Sequence, residues 1–218
     1  MTYDELLEKL TNGENFTFTR YGDGEFGIML NDPNIMRIVV NRHGDQQGIE
    51  IAGMQMLEGL DTISFMENDK YLVGIQGQAM RMFKKDIERL TQNVNICKAD
   101  IIHHASQKER IPELIEVLKD KHVIVVGREY LKGLPFEFEH IVTPDNLVWR
   151  MTDYLTMAVR EKIKNNSVVL WSASIASNIC MLKCFEEDIT QIDTGSVFDP
   201  YLYRATRKYH YDLKNLDL

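Results

Sequence analysis

At 218 residues, 44% hydrophobic and 27% charged, the chain has apolar material for one generous core and too little for two. A net charge of −8 speaks against broad nucleic-acid binding, which needs a basic face, and leaves room only for a local basic groove. No apolar run reaches the roughly 18 residues of a membrane span. The acidic, amphipathic MTYDELLEKL is unlike a secretory or transit peptide. Three cysteines at no framework spacing (Cys97, Cys180, Cys184) fit reduced thiols, so a cytoplasmic protein is expected.

In chain order, Thr2 and Glu5 form a capping box that opens a helix over Tyr3 to Leu10, and Asn12-Gly13 ends it. Phe16 to Thr19 alternates apolar and polar β-formers, the pattern of a strand. It runs directly into Arg20-Tyr21-Gly22-Asp23-Gly24-Glu25-Phe26-Gly27. Ile49, Ala52, Met56 and Leu60 fall at helical spacing; Tyr71 to Ile75 reads as a strand and Met80 to Leu90 as a helix. Val94 to Cys97 reads as a strand and Ile111 to Leu118 as a helix. His122 to Gly127 is almost continuously apolar, as in a strand covered on both faces. A short strand, His140 to Thr143, is stopped by Pro144. A helix over Leu147 to Ile163, a buried strand over Ser167 to Trp171, a helix over Ser174 to Phe185 and a strand over Ile189 to Asp193 complete the pattern. Strands alternating with helices, without repeats or linker, predict one α/β domain over 1–218 built on a doubly wound, mostly parallel, Rossmann-like sheet.

Such sheets bind ligands at the carboxyl ends of their strands. Four exits carry polar or glycine residues: Arg20–Glu25, Gly127-Arg128-Glu129, Ser172-Ala173-Ser174 and Asp193-Thr194-Gly195-Ser196. Gly22 to Gly27 formally satisfies the dinucleotide fingerprint G-x-G-x-x-G. That fingerprint offers bare backbone N–H groups to a pyrophosphate, whereas here two carboxylates occupy the turn and would repel it. Asp45 and Glu50 stand near the distance of a ribose-binding acid but in a polar, helical stretch. The pair makes sense with a divalent cation between it and a diphosphate. Mg²⁺ and Mn²⁺ take carboxylate oxygens together with phosphate oxygens, Gly22 and Gly24 permit close approach, and Arg20 neutralises remaining phosphate charge. The alternative is a structural pair, a helix N-cap with a first-turn acid. His103-His104 are adjacent and diverge on any regular element, so they are not read as a metal pair.

The segment RYGDGEF resembles the signature of the GT-D class of glycosyltransferases, R-[FY]-G-D-G-E-F, whose D-x-E metal motif replaces the D-x-D of other nucleotide-sugar transferases. SVVLWSASIASNICMLKCF is similar to that class's strand, small-residue turn and helix, and ITQIDTGSVFDPY to its closing I-D-x-G-[HS] exit. VIVVGREYLKGL and HIVTPDNLVW occupy the places of two middle segments. Residue by residue, the resemblance implies a Mn²⁺ or Mg²⁺ ion at Asp23 and Glu25. It implies donor nucleotide near Ser172, Ala173 and Ser174, and substrate-facing groups at Asp193 and Ser196. The activity implied is transfer of a hexose such as glucose from a nucleoside-diphosphate sugar, UDP-linked by expectation, to a hydroxyl acceptor. Three departures bear on sugar and acceptor: Gly127-Arg128-Glu129-Tyr130 lacks the class's glutamate-glycine pair, Ser172-Ala173-Ser174 replaces Gly-Pro-Thr, and Ser196 stands where histidine is frequent.

The residues alone support the same places. Ser172 and Ser174 lead into a helix whose N-terminal N–H groups suit a phosphate, although Ser174 would serve equally as a plain N-cap. Asp193 leaves a buried strand beside a glycine, as a base or as an Asx-turn. Asp199 is a second candidate base, or part of an Asp-Pro turn. Arg204, Arg207, Lys208, Tyr209 and Tyr211 form either a flap over the donor or a solvated helix face. Two rivals share the features: a metal-dependent phosphohydrolase of nucleoside diphosphates, with water as acceptor, and a non-catalytic nucleotide-binding module. The acceptor is a glycan, a glycoprotein, a lipid-linked sugar, a small molecule or, least favoured by the acidic charge, a modified DNA base.

Overall fold

The computed structural model describes residues 1–66, 69–185 and 188–204. Helix α1 (Tyr3–Asn12) begins with the expected capping box: Thr2 Oγ1 accepts from the Glu5 N–H at 3.2 Å, and Glu5 Oε2 accepts from the Thr2 N–H at 2.7 Å. It ends at Gly13, in the left-handed conformation. Seven strands follow: β1 (Thr17–Tyr21), β2 (Tyr71–Ile75), β3 (Ile96–Lys98), β4 (Val123–Gly127), β5 (Glu139–Val142), β6 (Val168–Trp171) and β7 (Thr190–Asp193). They form one sheet in the order β3-β2-β1-β7-β6-β4-β5, every pairing parallel. The five inner strands are buried along their whole length, whereas β3 and β5 are short, polar edges.

Alternate side chains of each strand face opposite layers, as the pleat requires. Tyr21, Val73, Ile124, Val126, Val169 and Trp171 pack with α2 (Asp23–Met29), α4 (Gln46–Phe65) and α9 (Ile175–Lys183). Phe18, Leu72, Val125 and Leu170 pack on the other face with α1, α6 (Ile101–Gln107) and α7 (Ile111–Leu118). Each such fully buried large apolar side chain stabilises the fold by about 1.5–3 kcal/mol. At the centre of the sheet Trp171 Nε1 donates to Gln191 Oε1 at 3.1 Å, and Gln191 Nε2 donates to the Met181 carbonyl at 2.9 Å.

Three departures from the sequence pattern have local causes. Helix α3 (Pro33–His43) was not expected; Asp32 Oδ1 caps it by accepting from Asn34 and Ile35 N–H at 3.0 Å, with Pro33 in its first turn. The expected helix over 147–163 is divided. Leu147 has φ 60°, a 3₁₀ turn covers Val148–Met151, and α8 spans Thr152–Arg160. The anchor of that break is Asp45, the N-cap of α4. It accepts from Gly48 N–H at 3.1 Å, Trp149 Nε1 at 2.8 Å and Arg150 Nε at 2.7 Å. Third, α6 precedes α7 where no helix was expected, and its N-cap residue, Asp100, accepts from the Gly77 N–H that opens α5 (Gly77–Leu90).

The chain runs from β1 outward to β3, crosses to the other half, and returns inward through β6 to β7. The seam between β1 and β7 is therefore where the two halves meet, the place at which such sheets take ligands. Among the described residues, no helix is long and apolar enough to cross a membrane.

Candidate functional site

The four polar strand exits lie at the carboxyl end of the one sheet, and β1, β7, β6 and β4 are consecutive in it. The RYGDGEF segment is placed as expected in position but not in conformation. Gly22 is the N-cap of α2, so Asp23 and Glu25 sit in the first turn of a helix rather than in a free turn. Glu25 Oε2 reaches back to accept from the Gly22 N–H at 2.8 Å, which is the structural role weighed for this pair. Its second oxygen is uncommitted, and Asp23 forms no hydrogen bond or ion pair with a described residue. Both are half-buried, directly after β1, the strand that pairs with β7. Gly24 leaves open space, since a Cβ there would meet nothing within 4 Å.

Carboxylate oxygens at such a strand exit match a hard cation that completes its shell with phosphate. Among the described residues, no group of three or more His, Cys, Asp or Glu is gathered to hold a metal. The fit is therefore to an ion shared with a ligand, not to one caged by acidic and imidazole side chains.

Arg20 is not an open phosphate ligand. Its side chain is 7% exposed, and Nη2 lies 2.9 Å from His103 Nε2. A guanidinium only donates, so the ring nitrogen it meets must accept. Arg20 Nη1 lies 4.0 Å from Asp193 Oδ1, and Arg20 Nε and Nη1 are buried without hydrogen-bond partners among the described residues. Between this cation and the cleft stands Gly195, at φ 52°; a Cβ there would lie 2.4 Å from Arg20 Nη1. Only glycine permits both the conformation and the approach. Asp193, buried, accepts from the Gly195 N–H at 3.0 Å in an Asx-turn. Burial pushes its carboxyl up to about 7, with Glu25 adding to the rise and Arg20 opposing it.

On the far side of Gly195 opens a cleft of about 450 Å³ over the exits of β7, β6, β4 and β5. Ser172, Ala173, Ser174, Ser196 and Asp199 all line it. Ser172 Oγ lies 2.9 Å from Thr194 Oγ1, which lies 3.0 Å from the Trp171 carbonyl. Thr194 has one proton and gives it to that carbonyl, so Ser172 donates to Thr194. Ser174 is exposed at the start of α9, with φ 53° and ψ −144° and no side-chain capping bond; Ser177 Oγ accepts from the Ala173 N–H instead. The simple N-cap role is thus not taken up by its hydroxyl, and a non-glycine residue is held in a sparsely populated conformation.

Asp199 is 1% exposed and accepts from the Tyr130 hydroxyl. It reads as a buried anchor of the cleft wall rather than a freely placed base. Burial raises the Tyr130 hydroxyl pKa, with the Asp199 contact adding to it. Arg204 stacks 4.2 Å over the Tyr130 ring, while Arg207, Lys208, Tyr209 and Tyr211 lie outside the described residues.

Some neighbours were not singled out from sequence. Trp149 lines the cleft, with His43 edge-on at 4.9 Å; Arg128, from the expected β4 exit, lines it as well, its Nε 3.3 Å from Asp145 Oδ1. Burial lowers the His43 pKa. Asp45 binds Trp149 and Arg150, which settles against a ribose-binding role. Gln76, directly after β2, is a polar strand exit of the same kind as the four recognised and could have been found by that rule. His104 is exposed and apart from His103, as adjacent helix positions require.

In fold, the chain is similar to a protein described as a new glycosyltransferase from Streptococcus sanguinis. The two share 13% identity at a TM-score of 0.63, over 97% of this chain and 91% of that one. It is likewise similar to a structure described as the highly conserved domain of unknown function 1792 with a distinct glycosyltransferase fold. There the identity is 13% and the TM-score 0.66, over 97% and 88% of the two chains. A selenomethionine-substituted structure of the same domain gives 14% identity and a TM-score of 0.63, over 96% and 92%. No protein-family model matches the chain. No curated protein matches it.

Proposed function

We propose that this protein is a metal-dependent glycosyltransferase, moving a hexose such as glucose from a UDP-linked donor to a hydroxyl acceptor. The observation that carries this is the pair of half-buried carboxylates, Asp23 and Glu25, at the exit of β1, in the same sheet whose β7, β6 and β4 exits line a hydroxyl-bearing cleft. The fold shared with the structures above supports it. Asp23 and the open oxygen of Glu25 would hold Mn²⁺ or Mg²⁺. When bound, the ion supplies Lewis-acid stabilisation of the charge on the departing diphosphate.

The chain's own groups do the rest. The cleft takes the nucleotide, with Trp149 and Tyr130 offering rings, and Ser172, Ser174 and Ser196 offering hydroxyls beside the N-terminus of α9. Buried Arg20 supports the negative ligand through its field, from behind Gly195 and not by direct contact. Of the two candidate bases, Asp193 has a carboxyl raised to about 7, suited to taking a proton from an acceptor hydroxyl at neutral pH, but it is buried outside the cleft lining, whereas Asp199 lines the cleft. Asp199 holds the wall through Tyr130. The test is incubation with UDP-glucose and Mn²⁺, with free UDP measured with and without a panel of glycan, lipid-linked and small-molecule acceptors. Acceptor-dependent release supports transfer. Fast release that no acceptor alters indicates a phosphohydrolase, and binding without release indicates a nucleotide-binding module.

A further inference from the structure

Gln76 follows Ile75, the sheet partner of Tyr21, and its backbone N–H donates to the Tyr21 carbonyl at 3.0 Å. It is thereby fixed beside Gly22 at the ends of two central strands. Gln76 occupies the N-cap position of α5, yet its side chain makes no capping bond; Asp100 Oδ2 accepts from the Gly77 N–H at 2.8 Å instead. The amide is directed elsewhere. A Cβ on Gly22 would lie 2.5 Å from Gln76 Oε1 and 2.9 Å from Glu25 Oε2, so these two oxygens flank the same small space. Gly22 itself has φ −100°, which any residue adopts; the reason for glycine here is that space, not the backbone. Glu25 Oε2 has the Gly22 N–H as its donor, whereas the Gln76 side chain has no hydrogen-bond partner among the described residues, so its oxygen faces the gap unanswered. At the end of β1, nine-tenths-buried Arg20 keeps two donors unanswered among the described residues, a positive field that suits the diphosphate accompanying such an ion.

We propose that the side-chain carbonyl of Gln76 is a third oxygen ligand of the cation assigned to Asp23 and Glu25, which rests on the function proposed above. A neutral ligand suits the electrostatics. Two carboxylates and one divalent cation sum to no net charge, so a diphosphate can join, whereas a third carboxylate would leave a surplus that repels it. Cα–Cβ geometry also links Gly22 to this role, because any side chain there displaces the Gln76 oxygen.

The experiment is titration of the full chain with Mn²⁺ alone and with Mn²⁺ plus UDP, read by the electron paramagnetic resonance signal of free Mn²⁺, with melting temperature as the fold control. Gln76→Ala is expected to weaken Mn²⁺ binding about tenfold or more. Gly22→Ala is expected to do the same without removing any ligand atom. Gln76→Glu is expected to hold Mn²⁺ alone at least as well as wild type while weakening the Mn²⁺–UDP complex. Unchanged affinity in Gln76→Ala overturns the proposal. So does Gln76→Glu binding Mn²⁺ no better than Gln76→Ala, which would mean that the amide N–H₂ group steadies Glu25. Absence of Mn²⁺ binding in wild type overturns the metal reading and this inference together, whereas failure confined to the variants overturns this inference alone.

Discussion

Gly195→Ala probes the wall between Arg20 and the cleft. At φ 52° an alanine carries the left-handed cost of about 1–2 kcal/mol. Its Cβ would also stand 2.4 Å from Arg20 Nη1 and 3.4 Å from Cζ. Arg20 is not a loose end that can swing away: it is 7% exposed and held 2.9 Å from His103 Nε2. Moving it forfeits a hydrogen bond to a charged group, about 1.5–3 kcal/mol. The expected total is about 2.5–5 kcal/mol, a fall in Tm of roughly 5–20 °C for a chain of this size. Gly13→Ala is the matched control, with φ 71° and nothing within 4 Å of its Cβ, so it carries the backbone cost alone. Urea unfolding followed by circular dichroism gives both values. In an Arg20→Ala background the excess cost of Gly195→Ala should disappear. If Gly195→Ala costs no more than Gly13→Ala, the packing of Arg20 against Gly195 has been misread.

Three further outcomes are expected. Asp193 keeps its proton in the folded state up to about pH 7, whereas the unfolded carboxyl loses it near about 3.9; stability should therefore fall as pH rises from about 4 to about 7 and level off above. Asp193→Asn should flatten that fall in urea midpoints, and an unaltered slope would refute the buried-acid assignment. Ser174→Gly should relieve the strained φ and stabilise the fold by about 1 kcal/mol while weakening UDP binding in calorimetric titration; a destabilised variant contradicts the strain argument. Asp45→Ala should lower Tm by several degrees and change the near-ultraviolet signal of Trp149, because the indole N–H loses its acceptor; an unchanged spectrum contradicts the clamp.

Much of the sheet was legible because its inner strands are nearly pure β-formers, buried on both faces, as in His122 to Gly127 and Ser167 to Trp171. Edge strands β3 and β5 were displaced by a residue or two from their expected bounds, since a half-solvated strand has a weaker pattern. Helix α3 had a readable signal, Asp32-Pro33 at its start and Gly44 at its end, but no continuous apolar face. The break at Leu147 had none, because it is imposed by Asp45, a hundred residues away in the chain. For the site, residues at strand exits were found by the strand pattern itself. What contacts them was not: the Arg20–His103 and Tyr130–Asp199 pairs join distant segments, and no local spacing encodes them. Glu25 differs, because its return to the Gly22 N–H spans only three residues and follows once the helix begins at Gly22.

The most direct test of the central claim is Mn²⁺-dependent release of UDP from UDP-glucose, with a responsive acceptor, by wild type and by Asp23→Asn and Glu25→Gln at matched Tm. Asp23 and Glu25 sit half-buried at the exit of β1 and Asp23 holds nothing else in place, so the fold should survive. Loss of a metal-binding group from a charge-stabilising site should cost on the order of 10²-fold or more in rate. The account predicts turnover in wild type that vanishes with chelation, and a fall of that size in both variants. Near-wild-type turnover in both would contradict it.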